Sequence, residues 1–568
     1  MRFFQDNSRG KHLIIIFVLL IFFFMFPGCQ EIIDNLNHYL DSAHELWGFN
    51  GSVLISWNNR VVLNKSYGMA NVEFNIPNTS HTKFFIGSLT KQFTAAAIMI
   101  LEQRGLIDLH KPIKTYLPDF NHPDNNKITI HHLLTHSSGL PNYTDDIDLY
   151  FKRTKDITQE QLLKLFENEK LLFKPGTDFY YSNTGYVILG AIIEKVSGQS
   201  YEAFLHKEIF NPLGMKNSGY GRREAALPQR ADGYTFYEFG QLVDALPIDF
   251  AFLHSAGALY STVEDLQKWN KALDEGKILT KKTIKKMNIP YINNYGYGWI
   301  MESRYGYLHQ YHGGQIDGYN TFMGRWPQLG LCIIVFSNDD MAPVKKIARG
   351  LAAICLSKGC EFPIKKTPID PDPKILKEYA GLYKNDFNEY QIIYLDNDNL
   401  YIRMPGQAGM RLYSEAIDSL YYDLDNTKTI IFHRDNNSAI SSMEIKDDGI
   451  NIIYNNIPDS IAHKILVSRK EVTIDPSLLN RYEGRYLMES GSNIFSSNFI
   501  LDITSDSNKI LVQIAEGDVV ELYPNSENTF FHKDNDILIS FIRDERGRVT
   551  GCVITLGISE TYGKRISN

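Results

Sequence analysis

The last third of the chain contains one short sequence twice, and this repeat constrains the fold more than any other feature. "DPKILKEYAGLY" begins at Asp372 and "DPSLLNRYEGRY" begins at Asp475, so Asp, Pro, Leu, Tyr, Gly and Tyr recur at a constant offset of 103 residues. A second pair, "FHRD" from Phe432 and "FIRD" from Phe541, recurs at an offset of 109 residues. Such a repeat indicates two units of the same fold that follow one another along the chain.

The repeated units are predicted to be all-β modules that cover residues 366–470 and 471–568. After "KKTPIDPDP", which runs from Lys365 to Pro373, the helices are predicted to vanish and short strands with Asp, Asn and Gly turns to replace them. This proline-rich stretch is the predicted domain boundary. The modules carry no visible catalytic set, so a spacer is the expected role.

Residues 31–365 are predicted to form a mixed domain of helices and strands. Hydrophobic residues make up 43% of the chain and charged residues 22%, which is typical of folded globular proteins. The net charge of -8 comes without a clustered basic face, and this argues against nucleic acid as a partner. A small-molecule or peptide substrate fits better, and no oligomeric state is predicted.

The first 29 residues are predicted to be an export signal. Arg2, Arg9 and Lys11 precede the 14-residue apolar run "LIIIFVLLIFFFMF". At about 1.5 Å per residue this run is shorter than the ~30 Å hydrocarbon layer, so a signal peptide is favoured over a permanent span. "PGC", which ends at Cys29, resembles a bacterial lipoprotein cleavage box. It implies lipidation of Cys29 and a membrane-anchored protein of the bacterial cell envelope, facing the periplasm or the exterior; an uncleaved anchor and plain secretion are the alternatives.

The other cysteines are Cys332, Cys355, Cys360 and Cys552, too few and too irregular for a disulfide framework. Pairing of Cys355 with Cys360 in an oxidising compartment is left open. Cys332, inside "LCIIVFSN", fits a small buried apolar residue.

The pattern Ser-x-x-Lys is common, and its context singles out Ser88 and Lys91. It also occurs at Ser8 in the signal and at Ser80 in a loop, whereas Ser88 opens a predicted amphipathic helix. The apolar residues of that helix are Phe93, Ala96, Ala97, Ile100 and Leu101, and Gly105 ends it. Residues i and i+3 share a helix face, so Lys91 can reach the Ser88 hydroxyl. The alternative is that Ser88 only caps the helix and Lys91 is solvated.

Tyr181 and Asn183 are candidate partners for that pair. A lysine with a pKa of about 10.4 is protonated at neutral pH, so the serine needs a further group. The two residues precede a predicted buried helix that is closed by Gly198. A phenol near a cation is expected to hold its proton weakly, and Asn183 is expected to donate to a substrate carbonyl. The alternative is an aromatic residue that only packs.

His312, Gly313 and Gly314 are predicted to begin a strand of a sheet. Glycines at a sheet edge let a substrate backbone approach and pair with the strand. The alternative is a plain bulge or hairpin entry.

Taken in order, Ser88-x-x-Lys91, Tyr181-x-Asn183 and His312-x-Gly314 resemble the three signatures of the serine β-lactamase and penicillin-binding protein superfamily. The resemblance is closest to the branch of class C β-lactamases, DD-peptidases and esterases. "ITIHHLLTHSSGLPNY", "FNPLGMKNSGY" and "SAGALYSTVEDLQKW" agree with it, over residues 35–345. It implies an α/β (α+β) fold: a β-lactamase/transpeptidase-like antiparallel sheet flanked by helices, with an all-helical subdomain, followed here by two all-β barrel-like modules.

The resemblance also implies roles. Ser88 would form an acyl-enzyme, Lys91 and Tyr181 would share the proton transfers, and the backbone N–H groups of Ser88 and Gln315 would form the oxyanion hole. The implied substrate-binding residues are Asn183, His312, Gly313, Gly314 and Gln315. The implied chemistry needs no cofactor.

One departure from the family bears on the substrate. β-Lactamases of this branch usually have lysine and then threonine where this chain has His312 and Gly313. A peptidase, amidase or esterase is therefore expected, with cell-wall peptide among the candidate substrates and with His312 as a neutral or titratable donor. A true β-lactamase and a penicillin-binding sensor without turnover are the alternatives.

His132 and His136 are spaced four apart on a predicted helix, as zinc ligands can be. Leu133 stands where a metalloprotease needs glutamate, so no metal site is predicted.

Overall fold

The computed structural model describes residues 27–567, except for 146–156, 223–225, 238–240, 246, 248, 387–388, 397, 405–408, 423–427, 448–449, 458–470, 489–498, 515–518, 533–536, 545–546 and 557–558. Residues 1–26 of the predicted export signal therefore lie outside the described residues. Among the described helices, none combines the length and the apolar character needed to cross a membrane.

The helices of the described chain lie mostly in the first two thirds. They are α1 (Pro27–Trp47), α2 (Thr90–Gln103), α3 (Ile130–Leu134), α4 (Gln159–Phe166), α5 (Asn183–Ser197), α6 (Tyr201–Leu205), α7 (Asn211–Leu213), α8 (Phe250–Gly257), α9 (Val263–Glu275), α10 (Lys281–Met287), α11 (Val344–Cys355), α12 (Pro373–Tyr379) and α13 (Pro476–Leu479).

A six-stranded antiparallel sheet organises the first domain, with strand order β10-β11-β12-β13-β1-β2. Three smaller sheets pair β3 with β4, β7 with β8, and β5 and β6 with β9. The strands are β1 (Gly51–Trp57), β2 (Arg60–Tyr67), β3 (Met69–Asn71), β4 (Ile76–Pro77), β5 (Phe84–Phe85), β6 (Gly219–Tyr220), β7 (Tyr234–Tyr237), β8 (Gln241–Asp244), β9 (Leu259–Ser261), β10 (Ile300–Arg304), β11 (Tyr307–Ile316), β12 (Tyr319–Trp326) and β13 (Leu331–Ser337).

Both faces of the large sheet are buried, which explains its continuous apolar strands. Successive side chains of a strand point to opposite faces. Val53 and Ile55 of β1 pack in one core with residues of α1 and α11, whereas Leu54 packs in the other core with residues of α2, α5 and α9. The sheet thus separates a pair of helices from a larger helical region.

The repeated segment folds into two closed eight-stranded barrels, β14–β21 and β22–β29. The predicted fold class is confirmed. The strands of the first barrel are β14 (Gly381–Lys384), β15 (Tyr390–Asp396), β16 (Asn399–Arg403), β17 (Met410–Ala416), β18 (Ser419–Tyr422), β19 (Thr429–Arg434), β20 (Ile440–Asp447) and β21 (Ile450–Ile457). Those of the second are β22 (Gly484–Met488), β23 (Phe499–Asp506), β24 (Lys509–Ile514), β25 (Val519–Pro524), β26 (Thr529–Phe531), β27 (Ile537–Arg543), β28 (Val549–Leu556) and β29 (Ser559–Ser567).

The residues that the two copies share make the same contacts in both barrels. The Tyr383 hydroxyl donates to Tyr379 O at 2.8 Å, and the Tyr486 hydroxyl donates to Tyr482 O at 2.7 Å. The stacked ring pairs, each with centroids 4.3 Å apart, are Tyr379–Phe432 and Tyr482–Phe541. The repeat therefore encodes one core twice.

One detail differs from the predictions, and one question that the sequence left open is answered. Helices do not vanish after the proline-rich stretch, because each copy of the repeat starts with a short helix, α12 or α13. In α12 the Asp372 side chain caps the helix by accepting from Lys374 N at 2.9 Å. Cys355 is buried, and no disulfide links it to Cys360.

Candidate active site

The candidate nucleophile lies in a tight turn directly before helix α2. Gly87–Leu89 form one 3₁₀ turn, and α2 begins at Thr90. Gly87 has φ +50°, a left-handed conformation that glycine adopts readily. Ser88 and Lys91 therefore stand at the start of a helix, as the sequence predicted.

Helix α2 runs through the core of the domain. Every residue from Thr90 to Leu101 is buried, so the prediction of an amphipathic helix is wrong. The polar residues of the helix have internal partners: Gln92 accepts from Trp269 Nε1 at 3.1 Å, and Thr94 donates to Ser255 O at 2.7 Å. The alternative of a solvated lysine at position 91 is excluded by the same burial.

Lys91 Nζ contacts three oxygen atoms. Ser88 Oγ lies at 2.8 Å, Asn183 Oδ1 at 2.7 Å and Ala256 O at 2.9 Å. The amide oxygen and the backbone carbonyl can only accept hydrogen bonds. A neutral Lys91 amine would thus donate both of its N–H bonds to them, and its lone pair would face the serine hydroxyl.

Burial favours the neutral form of Lys91. The side chain is fully buried, and desolvation holds the pKa of its amine well below the ordinary lysine value. No carboxylate is among its hydrogen-bond partners in the described chain. Lys91 thus has the geometry and the charge state of a proton acceptor for Ser88.

Tyr181 lines the same cavity as Ser88. Lys91 Nζ lies 5.0 Å from the centre of its ring, and the Ser88 side chain interacts with its phenol. Burial raises the pKa of the phenol, and the interaction with Ser88 lowers it by less. The expectation of a weakly held phenol proton is therefore wrong, because burial is the largest influence on the pKa of this phenol.

Asn183 is the first residue of helix α5, and both ends of its side-chain amide are engaged. Oδ1 accepts from Lys91, and Nδ2 donates to Thr144 Oγ1 at 3.0 Å. The helix ends as predicted at Gly198, which has φ 67°. The second N–H of Asn183 Nδ2 can donate the expected hydrogen bond to a substrate carbonyl.

The third motif lies inside strand β11, which begins at Tyr307 and not at His312 as predicted. Strand β10 pairs with β11 only as far as Tyr311, so residues His312–Ile316 extend beyond the last pair of that ladder. On the other side they pair with β12. This leaves a strand edge beside the Ser88 turn, and a substrate backbone can add to such an edge.

Two glycines let this edge touch the turn. A Cβ on Gly87 would come within 2.9 Å of Gln315 N, and a Cβ on Gly314 would come within 2.0 Å of Ile86 O. The Thr321 hydroxyl lies 3.0 Å from both Ile86 O and Gly314 O and ties the turn to the strand. The contact brings the main chain of Gln315 next to the turn that carries Ser88.

His312 is a neutral, internally bonded side chain. Nδ1 donates to Gly313 O at 2.6 Å, and Nε2 therefore accepts from the Tyr295 hydroxyl at 2.9 Å. Burial, with a smaller contribution from Lys91, lowers the pKa of His312 to about 3. The sequence predicted His312 as either a neutral or a titratable donor. The lowered pKa excludes a side chain that titrates near neutral pH.

The two histidines at zinc-like spacing have other contacts. Helix α3 ends at Leu134, so His136 is not on it and has φ 55°. His132 Nδ1 accepts from Thr129 N in a capping box, and His136 Nδ1 accepts from Ser182 N. The His136 ring lies 4.3 Å from that of Tyr181 and packs against it.

Two cavities meet at Ser88. The larger, of about 830 Å³, is also lined by Tyr181 and by residues of β11 and β12. The smaller, of about 330 Å³, is lined by Asn183, apolar residues of α8, and Asp317 and Asp340. The serine is therefore open to substrate on two sides.

The sequence did not predict three groups of the site: Ala256 O, Gly87 and Thr321. Ala256 lies in "SAGALYSTVEDLQKW", one of the segments that carried the resemblance, but a backbone carbonyl leaves no signal in the residue type. Gly87 stands directly before the Ser-x-x-Lys motif, so its position could have indicated a role in the site. Nothing in the sequence pointed to Thr321.

Comparisons with known proteins identify the family of this chain. A protein-family model described as Beta-lactamase matches residues 44–354, more than half of the chain. The chain belongs to the beta-lactamase family. The resemblance to the serine hydrolase superfamily of β-lactamases and penicillin-binding proteins is thereby confirmed.

Relatives of this beta-lactamase-family protein include penicillin-binding and amidase proteins. Penicillin-binding protein 4* of Bacillus subtilis (strain 168) is 29% identical over 415 residues, 67% of this chain and 91% of that protein. An octameric penicillin-binding protein homologue from Pyrococcus abyssi has a TM-score of 0.54 and 26% identity, and covers 86% of this chain and 99% of its own. D-amino acid amidase from Ochrobactrum anthropi SV3 has a TM-score of 0.52 and 26% identity, and covers 58% of this chain and 99% of its own.

Proposed function

We propose that this beta-lactamase-family protein is an exported serine hydrolase that cleaves an amide or ester bond through an acyl-enzyme on Ser88. The observation that carries the proposal is the set of contacts of Lys91: two fixed acceptors hold its N–H bonds, and Ser88 Oγ lies 2.8 Å from its nitrogen. A buried neutral amine in this position can take the serine proton as the hydroxyl attacks a carbonyl.

The remaining steps use the neighbouring groups. The raised pKa of the Tyr181 phenol keeps its proton in place at neutral pH, and Tyr181 lines the cavity with Ser88, so it can pass a proton to the leaving atom and regain one from Lys91. The backbone N–H groups of Ser88 and Gln315 would hold the oxyanion. Water then attacks the acyl carbon while Lys91 accepts one of its protons. When the bond from the acyl carbon to Ser88 Oγ breaks, Lys91 returns that proton to Ser88 Oγ, and the carboxylic acid leaves.

An amide or ester is favoured over a β-lactam for two reasons. The position that usually carries lysine in β-lactamases of this branch holds His312, and burial keeps that side chain neutral. In addition, one solved structure similar to this chain is that of a D-amino acid amidase. A penicillin-binding protein that is acylated without turnover is the second candidate, since a curated relative carries that name.

Labelling with a fluorophosphonate and with a fluorescent penicillin tests the nucleophile. We expect label on the native protein, none on Ser88→Ala, and undiminished label on Ser80→Ala, which has the same Ser-x-x-Lys spacing outside the site. Label that persists on Ser88→Ala would refute the proposal.

Substrate comparison then separates the candidates. D-phenylalanine amide, a D-alanine ester and a chromogenic cephalosporin are offered to the native protein. Fastest turnover of the amide or ester is expected. Fastest turnover of the cephalosporin would indicate a β-lactamase, and label without any turnover would indicate a penicillin-binding sensor.

The proposed location is the bacterial cell envelope, with Cys29 as the lipid anchor. The basic N-terminus, the apolar run and the cysteine after Pro27-Gly28 support it. Metabolic labelling with a radioactive fatty acid should mark the native protein and not Cys29→Ser. Equal labelling of both would contradict the anchor.

A further inference from the structure

The larger cavity beside Ser88 is shared between the hydrolase domain and the first barrel. Its volume of about 830 Å³ lies in the upper part of the roughly 300–1,000 Å³ range of ligand sites. The hydrolase wall carries Ser88 and Tyr181, and the barrel contributes residues of β15, β20 and β21. A spacer, the role expected from the sequence, would not need to form this wall.

The barrel residues of this wall point into the barrel. Ile445 and Tyr454 line the cavity and also belong to the apolar core of the barrel. Side chains two residues apart share a face of a strand, so Asp447 on β20 and Ile452 on β21 face the same interior. The cavity therefore opens into the mouth of the barrel.

Lys428 stands at the same mouth. It precedes β19 and lies two residues before Ile430, which is a barrel core residue. Its Nζ lies 4.6 Å from the centre of the Tyr422 ring, which belongs to the same core. Its ammonium group is thus held at the open end of the barrel and faces the cavity.

The described lining of this cavity is rich in basic side chains. Lys345, Lys346 and Arg349 of α11 line it together with Lys428, and among the described lining residues Asp447 is the acidic one. Asp447 lies 3.3 Å from Lys346 Nζ, and Glu302, outside the lining, lies 3.6 Å from Arg349.

The barrel is also held in place from two sides. The Lys346–Asp447 ion pair joins α11 to β20. The connecting segment pairs with the barrel, since Ile369 forms a β-bridge with Ser414 and Lys366 Nζ lies 2.6 Å from Glu415. A wall fixed in this way can select substrates.

We propose that the mouth of the first barrel is a substrate subsite, in which Lys428 binds an anionic group, a carboxylate or a phosphate, at the end of the substrate remote from the scissile bond. The proposal rests on the proposed hydrolase function. Eight-stranded barrels hold small groups at their mouths, and opposite charge at such a site gives specificity.

Matched substrates test this in the full-length protein. One pair is D-alanyl-triglycine and its C-terminal amide, and the other is succinyl-glycyl-D-alanine methyl ester and its acetyl counterpart. In at least one pair we expect kcat/KM of the anionic member to exceed that of its partner by about fivefold, as for a partly exposed ion pair. The ratio should fall toward one in high salt.

Variants assign the preference to the barrel. Lys428→Ala should bring the ratio close to one, and Lys428→Arg should keep it because the charge remains. Lys446→Ala is the matched control: Lys446 alternates with Ile445 and Asp447 on β20, so its side chain faces outward, and it should leave the ratio unchanged.

Two results overturn the subsite alone: ratios near one in both pairs with normal turnover, or a ratio that Lys428→Ala does not reduce. Failure of the native protein to turn over any of the four substrates, together with no fluorophosphonate label on Ser88, would overturn the proposed function and the subsite with it.

Discussion

The contacts of Lys91 separate it from an ordinary helix-start lysine. Its two acceptor partners are fixed atoms of other elements, and the third is the serine hydroxyl. Burial depresses the pKa of its amine, so the neutral base persists to lower pH than in a solvated lysine. The reactivity proposed for Ser88 therefore depends on burial and geometry.

This gives a pH dependence with a definite sign. The rate constant for fluorophosphonate labelling of Ser88 should be level at neutral pH and fall as the pH falls through the lowered pKa of Lys91. An Asn183→Asp variant places an isosteric carboxylate beside Lys91, which favours its charged form. Its profile should shift to higher pH. A native rate that keeps rising about tenfold per pH unit toward pH 10, as for a lysine of ordinary pKa, would contradict the assignment.

Gly87 offers a second test at the residue scale. An alanine there would bring Cβ within 2.9 Å of Gln315 N, so the strand or the turn must move. We expect Gly87→Ala to reduce the rate of Ser88 labelling by about a hundredfold, comparable to loss of one oxyanion donor, in a folded protein.

The matched control is Gly105→Ala. Gly105 has φ 71°, also left-handed, but a Cβ there meets nothing within 4 Å. Gly105→Ala therefore carries the same kind of cost for a left-handed alanine, about 1–2 kcal/mol, without the close contact. Equal losses of labelling in the two variants would contradict this explanation. They would show that the cost of a left-handed alanine, and not the close approach of Gly87 to β11, slows the labelling of Ser88.

The sequence predicted some of these residues and not others. Ser88, Lys91 and Tyr181 could be found because three motifs occurred in a fixed order, and the structure brings them together. The sign of the pKa shift at Tyr181 was wrong, since burial of a phenol depends on packing that spacing does not reveal. Ala256 could not be found at all, because its contribution is a carbonyl.

Among the elements, α5 and α8 approach closely enough to carry Asn183 and Ala256 to the same lysine. A Cβ on Gly190 of α5 would lie 2.0 Å from Ser255 Oγ, so this position needs glycine. Ser255 is tied in turn to Thr94 of α2 through its carbonyl. The three helices thus form one packed unit behind the serine.

Gly190→Ala should separate α8 from α5. We expect overpacking to lower the stability of the hydrolase domain by about 1–3 kcal/mol, with slower labelling of Ser88. All five tryptophans lie in residues 47–326, so tryptophan fluorescence during unfolding reports on this domain alone.

Gly185→Ala on the same helix is the control. Its Cβ would be 3.5 Å from Leu133 O, an ordinary contact, and alanine favours helix by about 0.5–1 kcal/mol over glycine. Its unfolding midpoint should be unchanged or higher. A midpoint for Gly190→Ala that equals the native one would contradict the close packing.

Element boundaries were predictable where local chemistry sets them. Helix α5 ends at Gly198 because its left-handed conformation favours glycine. The start of β11 was placed five residues too late, at His312 instead of Tyr307, because pairing with β10 and not residue type decides where that strand begins. Likewise the burial of α2 depends on the helices around it.

At the scale of the whole molecule, the two barrels repeat one design. The Tyr383 and Tyr486 hydroxyls donate to the carbonyls of Tyr379 and Tyr482 in the same way. The sequence predicted the repeat of these tyrosines but not the hydrogen bonds that they make. That both units close into barrels follows from pairing between their first and last strands.

Removal of one hydroxyl in each barrel should have equal and separate effects. Tyr383→Phe and Tyr486→Phe each lose one buried hydrogen bond, at a cost of about 1 kcal/mol. Amide hydrogen exchange should quicken about fivefold in β14–β21 for the first variant and in β22–β29 for the second. Faster exchange in both barrels from either single change would contradict their independence.

The closure of each barrel has a consequence for its ancestry. Leu382 of the opening strand pairs with Ile457 of the closing strand, so the polypeptide enters and leaves the unit at neighbouring points. A unit of this kind can be copied in tandem by gene duplication without disturbing either its own interior or the parent enzyme. The copy adjoining the hydrolase domain forms a wall of the cavity beside Ser88.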